Sequence, residues 1–229
     1  MNLSIITPLF DFFLPRFCFV CNRKLEPDTV VICPDCLSKI QLADRERLEE
    51  EYKRKFYGNG IIIDFKSVFV FEKDKELQHV IHALKYEKRF SIGLFLGKVL
   101  GKTLREIIPS WEINLIIPVP LHHLKKAERG YNQSAYIAKG LSKELKLPYN
   151  ERAIKRTRFT ESQTTMTLQE RQANIEGVFA VRNKNKVKAK NILLVDDVIT
   201  TGSTISECGK VLLEAGTNKI YAASVAIAD

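Results

Sequence analysis

The sequence has no apolar run near the ~18 residues that a membrane-crossing helix needs. It has no G-x-x-x-x-G-K loop and no G-x-G-x-x-G fingerprint, which excludes a P-loop triphosphate site and a dinucleotide-binding turn. Aromatic residues make up 9% of the 229 residues, with one tryptophan, so the stacking array of a stand-alone single-strand binder is missing. There are four histidines; His79 and His82 share a helical face without an acidic partner and read as packing or surface residues, not as a metal pair. The apolar N-terminus "MNLSIITPLFDFFLPRF" lacks a basic start and a small-residue cleavage site, and Pro8 and Asp11 interrupt it. It reads as a short docking helix, with a peripheral membrane contact as the alternative. The expected location is cytoplasmic, with no transmembrane segment.

Acidic residues are scarce in one part of the chain. Residues 1–60 hold nine Lys/Arg and nine Asp/Glu, so the whole formal charge of +9 lies in residues 61–229. A basic surplus on one domain points to an anionic partner: phosphate, nucleic acid or a membrane face.

Cysteines are few, yet four of the five sit together as "CFVC" (Cys18, Cys21) and "CPDC" (Cys33, Cys36). Each C-x-x-C lets two thiolates converge on one ion, and two such knuckles complete a tetrahedral set. The spacing favours structural Zn²⁺; an iron–sulfur cluster is the alternative, and two disulfides do not suit a cytosolic chain. Cys208 stands apart and reads as a packing residue. The charged stretch "IQLADRERLEEEYKRKFY" reads as a solvated connecting helix ended by "GNG". The expected domains are therefore 1–57, a zinc finger with its connecting helix, and 58–229.

In the second domain apolar strands alternate with helical patterns, which indicates a parallel α/β sheet. "GIIIDFKSVFVFEK" is expected to give two short strands, and "INLIIPVPLH", "ILLVDD" and "KIYAASVAIA" one each. In such sheets ligands bind beyond the carboxyl ends of the strands. That rule puts Asp196 and Asp197 at a crevice, followed by Thr200, Thr201, Gly202, Ser203 and Thr204 at the start of a helix. Free N–H groups, the helix dipole and four hydroxyls make a phosphate cradle, and Gly202 admits close backbone approach. Carboxylates repel phosphate, so the two acids should serve another part of the ligand; the vicinal hydroxyls of a ribose are natural donors to them. A ribose 5-phosphate unit satisfies both halves.

"LLVDDVITTGST" resembles the phosphoribosyl diphosphate (PRPP) motif of type I phosphoribosyltransferases. With "PVPLHHLKKAERGYNQ", "TRFTESQTTMTLQERQANIEGVF" and the four-cysteine finger, nearly the whole chain resembles the ComF family of competence-associated proteins. The resemblance implies a type I phosphoribosyltransferase-like parallel sheet flanked by helices, PRPP with Mg²⁺ as ligand, a role in DNA uptake during natural transformation, and single-stranded DNA and other DNA-uptake proteins as partners. The alternatives are a transferase acting on a small-molecule base or amine, and a PRPP-sensing regulator without transfer activity. The catalytic residues and acceptor stay open. The diphosphate segment is longer and more basic than in typical type I enzymes. Arg129, after strand "LIIPVP", is a candidate diphosphate contact, with Lys125 and Lys126 behind it and Gly130 allowing tight backbone approach. Lys85 near a helix end is another, although a C-capping charge explains it as well. Residues 155–177 take the place of the hood that closes over PRPP, with Arg156, Arg158, Gln163, Arg171 and Asn174 as candidate contacts.

Overall fold

A computed structural model of the chain describes residues 15–26, 29, 31–157 and 177–228. Four strands, β1 (Phe65–Val70), β2 (Leu115–Pro118), β5 (Asn191–Ile199) and β6 (Lys219–Ile227), form one parallel sheet in the order β1-β6-β5-β2. Ile192 to Val195 are fully buried, as expected of a strand covered on both faces. A short antiparallel pair, β3 (Ile154–Arg156) and β4 (Phe179–Val181), stands apart from the sheet.

On one face lie α3 (Glu76–Tyr86), α4 (Phe90–Leu104) and α7 (Gln133–Leu145). Helices α4 and α7 cross closely because Gly97 and Gly140 bring backbone against backbone; a Cβ on Gly97 would strike the Ile137 carbonyl, and one on Gly140 the Leu94 carbonyl. On the other face lie α2 (Arg45–Lys55) and α8 (Ser203–Glu214), contributing Leu48, Ile205, Cys208 and Leu212 to a second core.

The four-cysteine region ends in α1 (Pro34–Leu37). Its apolar residues Leu25, Val31, Ile32 and Ile40 belong to the same buried cluster as Leu84, Ile92 and Leu96 of α3 and α4, and the Arg89 guanidinium lies 5.5 Å over the Phe19 ring. Residues 41–43 then run antiparallel to β1: Ala43 N–H donates to the Val68 carbonyl at 2.9 Å and Val70 N–H to the Gln41 carbonyl at 2.9 Å.

Two local expectations change, and the segment after Pro120 takes a definite form. "GIIIDFKSVFVFEK" gives one strand, not two; Ile63 N–H already bonds the Ile220 carbonyl, but Asp64 turns its carboxylate onto the Phe65 N–H, and regular pairing begins only there. The basic stretch after Pro120 is a helix, α6 (His123–Arg129), capped at its start by His122 and ended by Gly130 at φ +81°. Its left-handed backbone calls for glycine, and a Cβ there would meet no protein atom within 4 Å. The connecting helix is not fully solvated: Leu48 and Glu51 of α2 are buried. No described helix is long and apolar enough to cross a membrane. Residues 1–14, with most of the expected docking helix, and the hood candidates Arg158, Gln163, Arg171 and Asn174 lie outside the described residues.

Candidate functional site

Strand β5 continues through both acids to Ile199, because β6 pairs with it along its length. Adjacent on this strand, the acids have different partners. The Asp196 carboxylate accepts the Ser134 hydroxyl at 2.8 Å and its neighbour's N–H, that of Asp197, at 2.9 Å. Asp197 is buried, and the Lys85 ammonium lies 2.7 Å from its Oδ2. That approach is a charge-assisted contact, and the Lys85 ammonium is the donor that faces Oδ2.

These surroundings split the two acids electrostatically. Burial, then repulsion from Asp197, pushes the Asp196 carboxyl up to about 8. Burial acts against the Asp197 charge too, but the Lys85 ammonium outweighs it and holds that carboxyl below its ordinary value. Lys85 is raised in turn, because Asp197 overcomes the burial that disfavours its charge.

After Ile199 the chain turns through Thr200 and Thr201 to Gly202, at φ +77°, where α8 starts. Gly202 has no side chain to cap the helix, so its first N–H groups stay available for an anion; Ser203 N–H makes only a long 3.4 Å contact to Thr201 Oγ1. The Thr201 and Ser203 hydroxyls touch at 3.0 Å, and Thr204 is half-buried in the first turn. Below the loop lies α2. A Cβ on Gly202 would sit 2.8 Å from Phe56 Cε1 and 3.1 Å from Lys55 Cβ. Lys55 is fixed by Glu51 at 2.9 Å and by donating to the Ala228 carbonyl at 3.0 Å. Glu51 also holds Arg54 at 2.6 Å and Arg47 at 3.1 Å.

A cationic rim surrounds the acids. The Arg129 guanidinium lies 5.1 Å over the Tyr86 ring and donates to Gln133 Oε1 at 3.2 Å. Tyr86 follows Lys85 directly and is 55% exposed, which leaves an aromatic edge open beside the acids. Burial, followed by repulsion from Arg129 and Arg156, pushes the Lys125 ammonium down. Arg156 lies 5.6 Å over the Phe179 ring and is lowered by burial, against the pull of Cys208 and Asp196. Lys85 thus reaches both acids and Arg156 stands in the field of Asp196, with Arg129 and Lys125 beside these cations, whereas Lys126 is exposed.

Sequence reasoning missed Ser134 and the support from Lys55 and Phe56. Ser134 carried a usable signal: it lies in the first turn of α7, the second helix after β2. Lys55 and Phe56 carried none, because α2 looked solvated.

The four cysteine sulfurs lie within 4.8 Å of one another, a donor set able to hold a metal. Cys33 caps α1 and its N–H donates to Cys18 Sγ at 3.4 Å. Burial opposes ionisation of Cys18, but backbone N–H groups of Cys21 and Cys33 bring its thiol down to about 6. Cys208 is buried and its thiol is pushed up by burial, as a packing residue should be.

The phosphoribosyl transferase domain family matches residues 132–228, which span α7 through β6 and both acids. The chain is 32% identical over 213 residues to Competence protein F of Haemophilus influenzae, covering 89% of this chain and 93% of that protein. It is 32% identical to the DNA utilization protein YhgH of Escherichia coli K12, over 61% of this chain and 62% of that one. It is 26% identical to Competence protein ComFC of Bacillus subtilis, over 88% of this chain and 79% of that one. The chain therefore belongs to the ComF family: a phosphoribosyltransferase-type domain joined to an N-terminal four-cysteine cluster.

Proposed function

We propose that the crevice binds PRPP, with its 5-phosphate on the α8 N-terminus, its ribose hydroxyls on Asp196 and Asp197, and its diphosphate among Lys85, Arg129 and Lys125. One observation carries this reading. The uncapped turn at Gly202 follows two adjacent acids at the end of β5, one of them buried and paired with Lys85. An anion-binding turn and a hydroxyl-binding pair placed side by side fit a sugar phosphate. Thr200, Thr201, Ser203 and Thr204 add hydroxyl donors to the phosphate.

The residues also suit Mg²⁺: Asp196 and Asp197 offer adjacent hard carboxylate oxygens at the end of β5, and Lys85 is the cation that such an ion would share them with. Bound with the diphosphate, such an ion would neutralise charge on the leaving group. This chain's own contribution is to hold the ribose on two carboxylates and to aim Lys85 and Arg129 at the departing diphosphate. Tyr86, backed by Arg129, offers a face for a planar acceptor ring, which favours a nucleobase over an aliphatic amine. For the four-cysteine cluster we infer structural Zn²⁺, since four thiolates leave no open coordination position. Metal-bound thiolates in place of disulfides suit the cytoplasmic location inferred here.

The names of the relatives, competence and DNA utilization proteins, together with the basic surplus of residues 61–229, support single-stranded DNA as a partner during DNA uptake. The test is calorimetry of PRPP binding with and without Mg²⁺, followed by a diphosphate-release assay against free nucleobases, amines and oligonucleotides. Absence of PRPP binding sinks the reading. PRPP binding without release under every acceptor leaves a sensor in place of a transferase.

A further inference from the structure

A groove of about 700 Å³ opens between the four-cysteine region and the α4/α7 pair, and none of its lining residues belongs to the phosphate site. Its floor is aliphatic: Ile32 and Leu37 on one wall, Leu94 and Val99 on the other, with Phe95 the single aromatic ring. Gly140 lines the floor where α7 closes against the α4 backbone at Leu94. Such a volume takes several apolar side chains and is within the usual range of a binding cleft.

The mouth has one sign of charge. Lys98 and Lys102 stand four residues apart on α4, on one helical face, and Lys143 faces them from α7; all three are exposed. The acid in this wall, Glu144, is paired with Arg105, so it does not offset the lysines. An apolar floor under a positive rim is complementary to a segment that carries apolar anchors flanked by carboxylates.

We propose that this groove docks an acidic amphipathic segment of a protein partner, laid along α4 with its apolar face on Leu94, Phe95 and Val99 and its carboxylates on Lys98, Lys102 and Lys143. A peptide fits better than a nucleic acid. Bases need exposed aromatic plates on which to stack, and the floor is mainly aliphatic. The proposal is independent of the PRPP reading.

The test uses the full-length, metal-loaded protein and fluorescence anisotropy. The probe is a labelled 18-residue amphipathic helix with Leu and Phe at i, i+3, i+4 and i+7 and Glu on the flanks. The proposal expects saturable binding that weakens as salt rises. Lys98→Glu combined with Lys102→Glu should weaken it at least tenfold with the melting temperature unchanged, because both side chains are exposed. Phe95→Ala should weaken it as well; if that variant unfolds, the lysine pair still decides. No saturable binding overturns the proposal, as does equal binding of a probe with Gln in place of Glu, or indifference to the lysine reversal. Preferential binding of oligothymidylate, of anionic phosphatidylglycerol vesicles or of a peptide of residues 1–14, lost in the same lysine variants, overturns it in favour of that occupant.

Discussion

Phe56, at the end of the connecting helix, forms the seat on which Gly202 rests: a Cβ on the glycine would lie 2.8 Å from the phenyl ring. Two demands thus meet at one residue, an aromatic ring below and a left-handed backbone at φ +77°. Gly202→Ala should lower stability by about 1–3 kcal/mol and weaken PRPP by more than tenfold, because the turn that aims the α8 N–H groups must shift. Thermal melts and calorimetry on the same sample check both. Native-like PRPP affinity would show that the turn does not hold the phosphate.

Asp196 holds its proton up to about 8 in the fold but only to 3.8 as an ordinary aspartate. Folding takes up a proton between those values, so this group's contribution to stability falls as pH rises from about 4 to about 8 and is level beyond. Asp196→Asn should flatten that slope and raise the melting temperature of the ligand-free protein at pH 8 by several degrees. It should also abolish PRPP binding, a trade of function for stability. A melting temperature at pH 8 equal to or below the native one would refute the assignment.

If ribose hydroxyls and Mg²⁺ require Asp196 ionised, binding must release its proton. PRPP affinity should therefore rise with pH up to about 8. Calorimetry in buffers of different ionisation enthalpy reads the proton directly. Zero proton release at pH 7 would mean that the carboxyl is already charged or is not used.

Lys85 serves Asp197 in the ligand-free site and would face the diphosphate in the complex. Lys85→Met leaves a buried carboxylate without its cation, so stability should drop by about 1–3 kcal/mol and PRPP affinity should fall. Lys85→Arg should restore stability more than affinity, since its planar fork cannot reproduce a compact ammonium. Unfolding titrations paired with PRPP isotherms separate the two effects.

If single-stranded DNA occupies the crevice, log affinity should fall with log salt by about 0.7 per phosphate neutralised. Lys125→Ala should reduce that slope and Lys126→Ala should not, because only Lys125 stands in the field of Arg129 and Arg156. Equal effects of both substitutions would place the DNA on the outer surface of α6.

The legible part of this molecule is the part whose partners are neighbours in sequence. Asp196 to Thr204 form one strand–turn–helix, so their shared position follows from periodicity and from where parallel strands end. The four cysteines converge for the same reason, since each pair spans a single turn. The illegible part is tertiary. Ser134 meets Asp196 across 62 positions, and Lys55 meets the Ala228 carbonyl across 173. The α2 stretch, with its surplus of charge, reads as solvated because most of its residues are; Glu51 is buried only because Arg47, Arg54 and Lys55 all close on it. The basic residues after Pro120 lack an apolar stripe, so no element was legible there, and the helix they form is short with no buried residue.

The short run of residues 41–43 beside β1 has a consequence for solubility. In the order β1-β6-β5-β2, β1 is an outer strand, and a bare outer strand offers unpaired N–H and carbonyl groups to any other chain. Gln41 and Ala43 occupy part of that row. Loss of residues 41–43 would strip this cover and leave the hydrogen-bonding edge of Val68 and Val70 open to strand-to-strand stacking with a second copy.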